Sequence, residues 1–316
     1  MPTLDSKASI IITTRNRPHL VPRAVKSAQA SASNVEVVVV DDASSDETAE
    51  VCRGLSGINY VRVEHNQRVA GARNIGLIAS RGEYLSFLDD DDTRLADSLD
   101  AQIEALEREP QAGLIYGRAI LGNQEGLPGN RSYPAACPAG DVFWHLLSRN
   151  FIPCGSAVFR RSCLARVGLL DTSIPGLDDW DLWVRIAETY PVLSAETPSI
   201  VWRRSTPVSA QGTSDAAGLV SRSVQKFRHS WMNLPRAAGA ARETRRTVWR
   251  EFSEHMAEHL IWESARALRF GELRQPLRSL AIIPRLHPLA LMHIAKHRVF
   301  RVPRARLPES LASGSV

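Results

Sequence analysis

Two runs of apolar, largely β-branched or aromatic residues that end in acids constrain this chain more than anything else in it. Residues 35–40 (VEVVVV) lead straight into Asp41 and Asp42, and residues 83–88 (EYLSFL) lead into Asp89, Asp90, Asp91 and Asp92. Both read as buried strands. Residues 9–14 (SIIITT), 59–63, 114–116 and 157–159 supply further strand candidates. Between them, 18–30 and 70–80 suit helices, and Ser44, Ser45, Asp46 and Glu47 suit the N-terminal cap of another. Leu95, Leu99, Ile103 and Leu106 line one face of a further helix. This alternation predicts an α/β fold with a mainly parallel sheet, which binds ligands beyond the carboxyl ends of its strands.

Four adjacent carboxylates after an apolar strand repel one another unless they share a cation, and hard cations such as Mg²⁺ or Mn²⁺ prefer oxygen ligands. A solvated acidic turn capping the next helix is the plain alternative. Position at a strand's carboxyl end favours the cation, whose shell substrate phosphate oxygens commonly complete. A second acidic pair, Asp178 and Asp179 in LDDWDLWVR, precedes a helix with Leu182 and Ile186 on its buried face. Taken alone, it reads as ordinary helix-start acids.

The chain has 316 residues, 44% hydrophobic and 23% charged, enough to bury a core in one large domain or a main domain with an appendage. Four cysteines (Cys52, Cys137, Cys154, Cys163) form no C-x-x-C pair, which argues against a thiolate metal site or a disulfide framework and suits a reducing compartment. The first eighteen residues lack a cationic segment followed by a long apolar run, so a cytoplasmic protein is expected. No stretch is apolar enough to span a membrane; 280–295 comes nearest and is broken by Arg285, two prolines and histidines.

Charge is uneven. Residues 1–200 hold 19 Lys and Arg against 26 Asp and Glu, whereas 201–316 hold 20 against 8. An acidic first part suits a cation site, and a basic tail suits an anionic surface. The tail shows no nucleic-acid-binding motif. With Trp231, Trp249 and Trp262 it suits peripheral contact with an anionic membrane, and a helical cap on the main domain is the other reading. His255 to His259 satisfies H-x-x-E-H, but no third ligand in a defined context accompanies it. GARNIG at 71–76 lacks the G-x-G-x-x-G spacing, and no phosphate-binding P-loop occurs.

The ordered set IIITTRNRP, VVVVDDASSDET, Asn66 with GARNIG, GEYLSFLDDDD and LDDWDLWVRIA resembles glycosyltransferase family 2, the inverting nucleotide-sugar enzymes with the GT-A fold, over roughly residues 8–204. The resemblance implies a GT-A domain at 1–204, with a nucleotide-sugar half at 1–112 and an acceptor half at 113–204. A linker at 205–218 and a basic helical region at 219–316 complete the expected organisation. It implies that Thr13, Arg15, Asp41 and Asp42 meet the nucleoside, with Arg15 standing where the family usually has an aromatic residue. Arg73 then lies near the diphosphate, Asp91 ligates Mn²⁺ or Mg²⁺, and Asp90 contacts the ribose or the metal, with Asp92 a weaker candidate.

Asp179 takes the position of the general base, with Asp178 and Trp180 as possible acceptor-site residues and Trp183 beside them. An acceptor hydroxyl must lose its proton as it attacks, which a carboxylate in hydrogen-bond reach can accept. The expected reaction is inverting transfer of a sugar from a nucleoside-diphosphate donor to a glycan or lipid-linked glycan acceptor at the inner face of the membrane. A nucleotidyltransferase is the competing enzyme class, but it would want a glycine-rich phosphate loop where Thr14 to Pro18 offer only arginines. A non-catalytic scaffold of the same fold is the third reading, and the intact acids argue against it.

Overall fold

The computed structural model of the chain describes residues 6–203, 215–269 and 271–286. Most of the expected linker at 205–218 and the tail beyond 286 lie outside these residues. The strands are β1 (Ala8–Thr14), β2 (Val35–Asp42), β3 (Ile58–Val63), β4 (Tyr84–Asp89), β5 (Thr93–Arg94), β6 (Leu114–Gly122), β7 (Pro128–Tyr133), β8 (Ala157–Arg160) and β9 (Val192–Trp202). The helices are α1 (Val21–Gln29), α2 (Thr48–Gly54), α3 (Arg68–Ala79), α4 (Ser98–Arg108), α5 (Phe143–Ser148), α6 (Arg161–Val167), α7 (Asp178–Thr189), α8 (Ala216–His229), α9 (Pro235–Ala238), α10 (Arg242–Arg269) and α11 (Arg274–Leu286).

All strands form one sheet in the order β3-β2-β1-β4-β8-β6-β9-β5, with β7 added beside β6. The block β3-β2-β1-β4 is parallel, as the alternation predicts. Antiparallel pairing enters at β8, which lies between β4 and β6, so the whole sheet is mixed. The apolar runs are continuous because both faces are covered. On one face Ile10, Ile12, Val37 and Val39 pack with Val21, Val25, Leu99 and Ile103 of α1 and α4. On the other, Val38 and Val40 pack with Ala72 of α3.

Two expectations are corrected. Residues 121–139, rich in Gly, Pro and Asn and outside every strand expected from the sequence, contain β7, which pairs antiparallel with β6. The parallel strand β9, which pairs with β6 across two irregular steps, has no counterpart among the predicted strands.

The chain divides into two compact units, Met1–Trp249 and Arg250–Val316. In the first, α8 is tied to α7 through Asp181, which accepts from the Trp231 indole N–H at 2.9 Å and pairs with Lys226 at 3.0 Å. In the second, the end of α10 is followed by α11, on which Gln275, Ser279, Ile283 and Leu286 are buried.

Candidate active site

Parallel register brings the acidic strand ends together. Thr13 stands level with Val40 on one side and with Asp89 on the other, and Thr14 with Asp41. Just beyond β1 and β2, Asn16 and Ala43 adopt left-handed backbone angles, φ 54° and 58°. Such residues are uncommon outside glycine and gather where a loop serves a site. The two loops hold each other, since Asn16 N–H donates to the Ser44 hydroxyl at 3.0 Å and Ser45 N–H donates to the Asn16 side-chain oxygen at 2.8 Å.

The expected nucleoside-side residues divide by burial. Arg15 is exposed and Thr13 half-buried, whereas Asp41 and Asp42 are buried. Both Asp41 oxygens are occupied, one by Ser44 N–H and the other by the Tyr60 hydroxyl. Burial, and then that bond, raise Tyr60 well above the usual phenol range. Asp42 accepts from Gln67 N–H at 2.6 Å, and burial raises its pKa.

The four acids after β4 are not equivalent. Asp89 pairs with Arg73 at 2.7 Å. Asp90 accepts from the Thr14 hydroxyl at 2.7 Å and from Arg17 at 2.6 Å, and burial nevertheless pushes it up to about 6. Asp92 accepts from Arg203 N–H at 2.8 Å, and burial, then Asp89 and Asp91, raise its pKa well above the usual carboxylate range. Asp91 differs: its Oδ2 is buried without a hydrogen-bond partner, with Arg17 and Arg203 no nearer than 3.6 and 3.9 Å. Burial and Asp89 raise its pKa.

An orphaned buried carboxylate oxygen is what a hard cation would satisfy. Among the described residues no three His, Cys, Asp or Glu side chains are grouped to hold a metal by themselves. Asp91 therefore fits a cation that takes one or two carboxylates and completes its shell from the substrate. The same holds for H-x-x-E-H: His255 and His259 belong to no such group.

The second acidic group is joined to the first by one side chain. Arg73, projecting from α3 and buried, donates to Asp89 at 2.7 Å and to Asp178 at 2.8 Å, and its guanidinium lies 5.2 Å from the centre of the Phe87 ring. Asp178 and Asp179 open α7. Asp179 is half-buried and accepts from Trp180 N–H at 2.6 Å. Burial first, and then the adjacent Asp178 carboxylate, push it up to about 7, against the pull of Arg73. Cys154 faces the same charges, and burial raises its thiol well above the usual range.

The tryptophans turn inward. Trp180 is buried, donates its indole N–H to the Leu146 carbonyl at 2.6 Å, and lies 4.9 Å from the Trp231 ring. Trp183 packs in the core against Phe87 and Phe159. Both side chains are buried. Sequence reasoning missed Thr14, Arg17, Arg203 and Asp181 as partners; only the density of arginines at 15–17 signalled any of them.

The chain is similar in sequence to curated glycosyltransferases and in fold to solved ones. It is 28% identical over 182 residues to an uncharacterized glycosyltransferase of Haemophilus influenzae, covering 57% of this chain and 62% of that one, less than two thirds of its length. It is 28% identical over 183 residues to WfaP of Escherichia coli, a UDP-Glc:alpha-D-GlcNAc-diphosphoundecaprenol beta-1,3-glucosyltransferase, covering 56% and 69%. Among solved structures, Staphylococcus aureus TarS 1-349 in complex with UDP-GlcNAc matches with a TM-score of 0.60 at 16% identity, covering 92% of this chain and 88% of that one. The mannosyltransferase PcManGT of Pyrobaculum calidifontis, in complex with GDP-Man and Mn²⁺, matches at 0.57 and 19%, covering 95% and 88%. These likenesses are of fold. Residues 9–168, half of the chain, match the Glycosyl transferase family 2 model, and the chain belongs to that family.

Proposed function

We propose that the chain transfers a sugar from a nucleoside-diphosphate donor to the hydroxyl of a lipid-linked glycan, with inversion at the anomeric carbon. The observation that carries this reading is the Arg73 bridge, because it holds the start of α7 against the end of β4. A donor beyond β1, β2 and β4 would then present its sugar towards Asp179.

Asp179 is the proposed base. Near pH 7 it is divided between carboxylate and acid, which is where a proton acceptor works best at neutral pH. It takes the acceptor's proton as the acceptor oxygen bonds to the anomeric carbon, and the bond to the donor phosphate oxygen breaks with its electron pair. The attack comes from the face opposite the leaving group, so one displacement inverts the centre. Asp178 is held in place by Arg73, and its proximity to Asp179 raises the pKa of that carboxyl. Asp41, Asp42, Thr13 and Arg15 border the proposed nucleoside side. Asp91, with Asp90 beside it, would hold a Mn²⁺ or Mg²⁺ ion, which when bound supplies positive charge to the departing diphosphate.

The lipid-linked acceptor is supported by the name of the Escherichia coli relative. Among the described residues no helix is long and apolar enough to cross a membrane. Assay of a donor panel against undecaprenyl-diphosphate-linked glycans, with and without Mn²⁺, tests the proposal. Transfer with inverted product stereochemistry is expected. Failure of every donor to bind or turn over would sink it.

A further inference from the structure

Large exposed apolar side chains are unevenly spread over this protein. Of the nine among the described residues, five fall between positions 262 and 280: Trp262, Leu268, Leu273, Leu277 and Leu280. The last three are 63–66% exposed. They recur at spacings of four and three, so they share one face leading into and along α11. The buried face of this helix carries two polar residues beside Ile283 and Leu286. Gln275 and Ser279 are buried, and the Ser279 hydroxyl donates back to the Gln275 carbonyl at 2.9 Å. An open row of leucines is unusual for a helix at a watery surface, whose outward face is ordinarily polar.

Charge adds a second pattern. Arg274, Arg278 and Arg285 are also exposed, and α11 contains no acid. At 3.6 residues per turn they lie roughly 100° around the helix from the leucines. An apolar stripe thus runs beside a cationic one, both away from the buried face.

We infer that this face of α11 docks on the surface of an anionic lipid bilayer, the leucines entering the interface and the arginines meeting lipid phosphates. The long side chains of arginine suit this, since their stems lie along apolar surface while the guanidinium stays among head groups. A second copy of the chain is a poorer occupant, because pairing the faces would oppose three arginines with three and bring no carboxylate from the helix. A nucleic acid would leave three exposed leucines without a partner. The contact is with the surface, as no described helix is able to span. The inference stands apart from the transferase reading, since lipid binding is measured without donor or acceptor.

Sedimentation of the full chain with vesicles tests it. The protein should pellet with phosphatidylcholine–phosphatidylglycerol vesicles at low salt, and far less with phosphatidylcholine alone or at high salt. Leu277→Glu/Leu280→Glu and, separately, Arg274→Glu/Arg278→Glu should each weaken binding about tenfold or more. Leu127→Glu, an equally exposed leucine after β6, should bind as the parent does. If circular dichroism shows that the glutamates unwind the helix, Leu277→Ser/Leu280→Ser carries the test. A parent that stays in the supernatant, or leucine variants that pellet as it does, overturns the inference. So does light scattering showing a dimer that the leucine variants dissolve.

Discussion

As the proposed base, Asp179 would have to take up a proton, and it sits in a place that disfavours its charge. With a pKa near 7 in the folded chain and about 4 when unfolded, it binds its proton more tightly when folded. Folding stability from this group therefore falls as pH rises from about 4 to about 7, and the loss is complete above that. Asp179→Asn carries no such penalty. Urea unfolding should show the variant gaining on the parent between pH 5 and pH 8, while transfer is lost and donor binding persists. The parent's transfer rate should rise through an acid limb near pH 7. A variant that transfers at the parental rate would remove Asp179 from the role of base.

Arg73 makes the complementary case. Its two arms satisfy Asp89 and Asp178, so Arg73→Leu leaves two acids facing each other without their cation and should cost about 3–5 kcal/mol by urea titration. Arg73→Lys should recover only part of this, because an ammonium lacks the planar two-armed reach. The acids themselves were legible in the sequence, since a carboxylate run after an apolar strand is conspicuous. Their partners were not. Thr14 lies 76 residues from Asp90 and Arg73 lies 105 from Asp178, and nothing local in the sequence encodes those pairings.

Elements show the same division. β1, β2 and β4 were legible because both faces are covered and the runs are apolar throughout. β9 escaped because VLSAETPSIVW is interrupted by Glu196 and Pro198 and is paired irregularly. Gly76 illustrates a residue whose reason appears only on packing. A Cβ there would lie 2.2 Å from Cγ2 of Ile11, so the glycine of GARNIG lets α3 approach β1. Gly76→Ala should destabilise by about 1–3 kcal/mol, measured by thermal or urea unfolding. Asp181 was passed over as one acid among three. It is buried and holds Arg185, Lys226 and Trp231, which fastens α8 to α7, whose first turn contains Asp179. Asp181→Asn should cost about 2–4 kcal/mol by the same measurement.

At the scale of the molecule, the proposed reading makes the acidic end of the sheet a site for a ligand that would bring part of its own coordination. Asp91 has one orphaned oxygen, and no group of three ligating side chains surrounds it among the described residues. Metal alone should then bind weakly, nucleotide alone should lack charge compensation against the acids, and the two together should stabilise the fold beyond the sum of their separate effects. For a ligand at a hundredfold its dissociation constant the gain is about 2.7 kcal/mol. In a unit of this length that corresponds to roughly 5–10 °C in Tm. Thermal unfolding with Mn²⁺, with a nucleoside diphosphate, and with both measures the excess. Asp91→Asn should abolish the excess and leave the fold intact, because the replaced oxygen has no hydrogen bond to lose. Equal excess in the parent and in Asp91→Asn would mean that the metal and the nucleotide meet elsewhere on the chain.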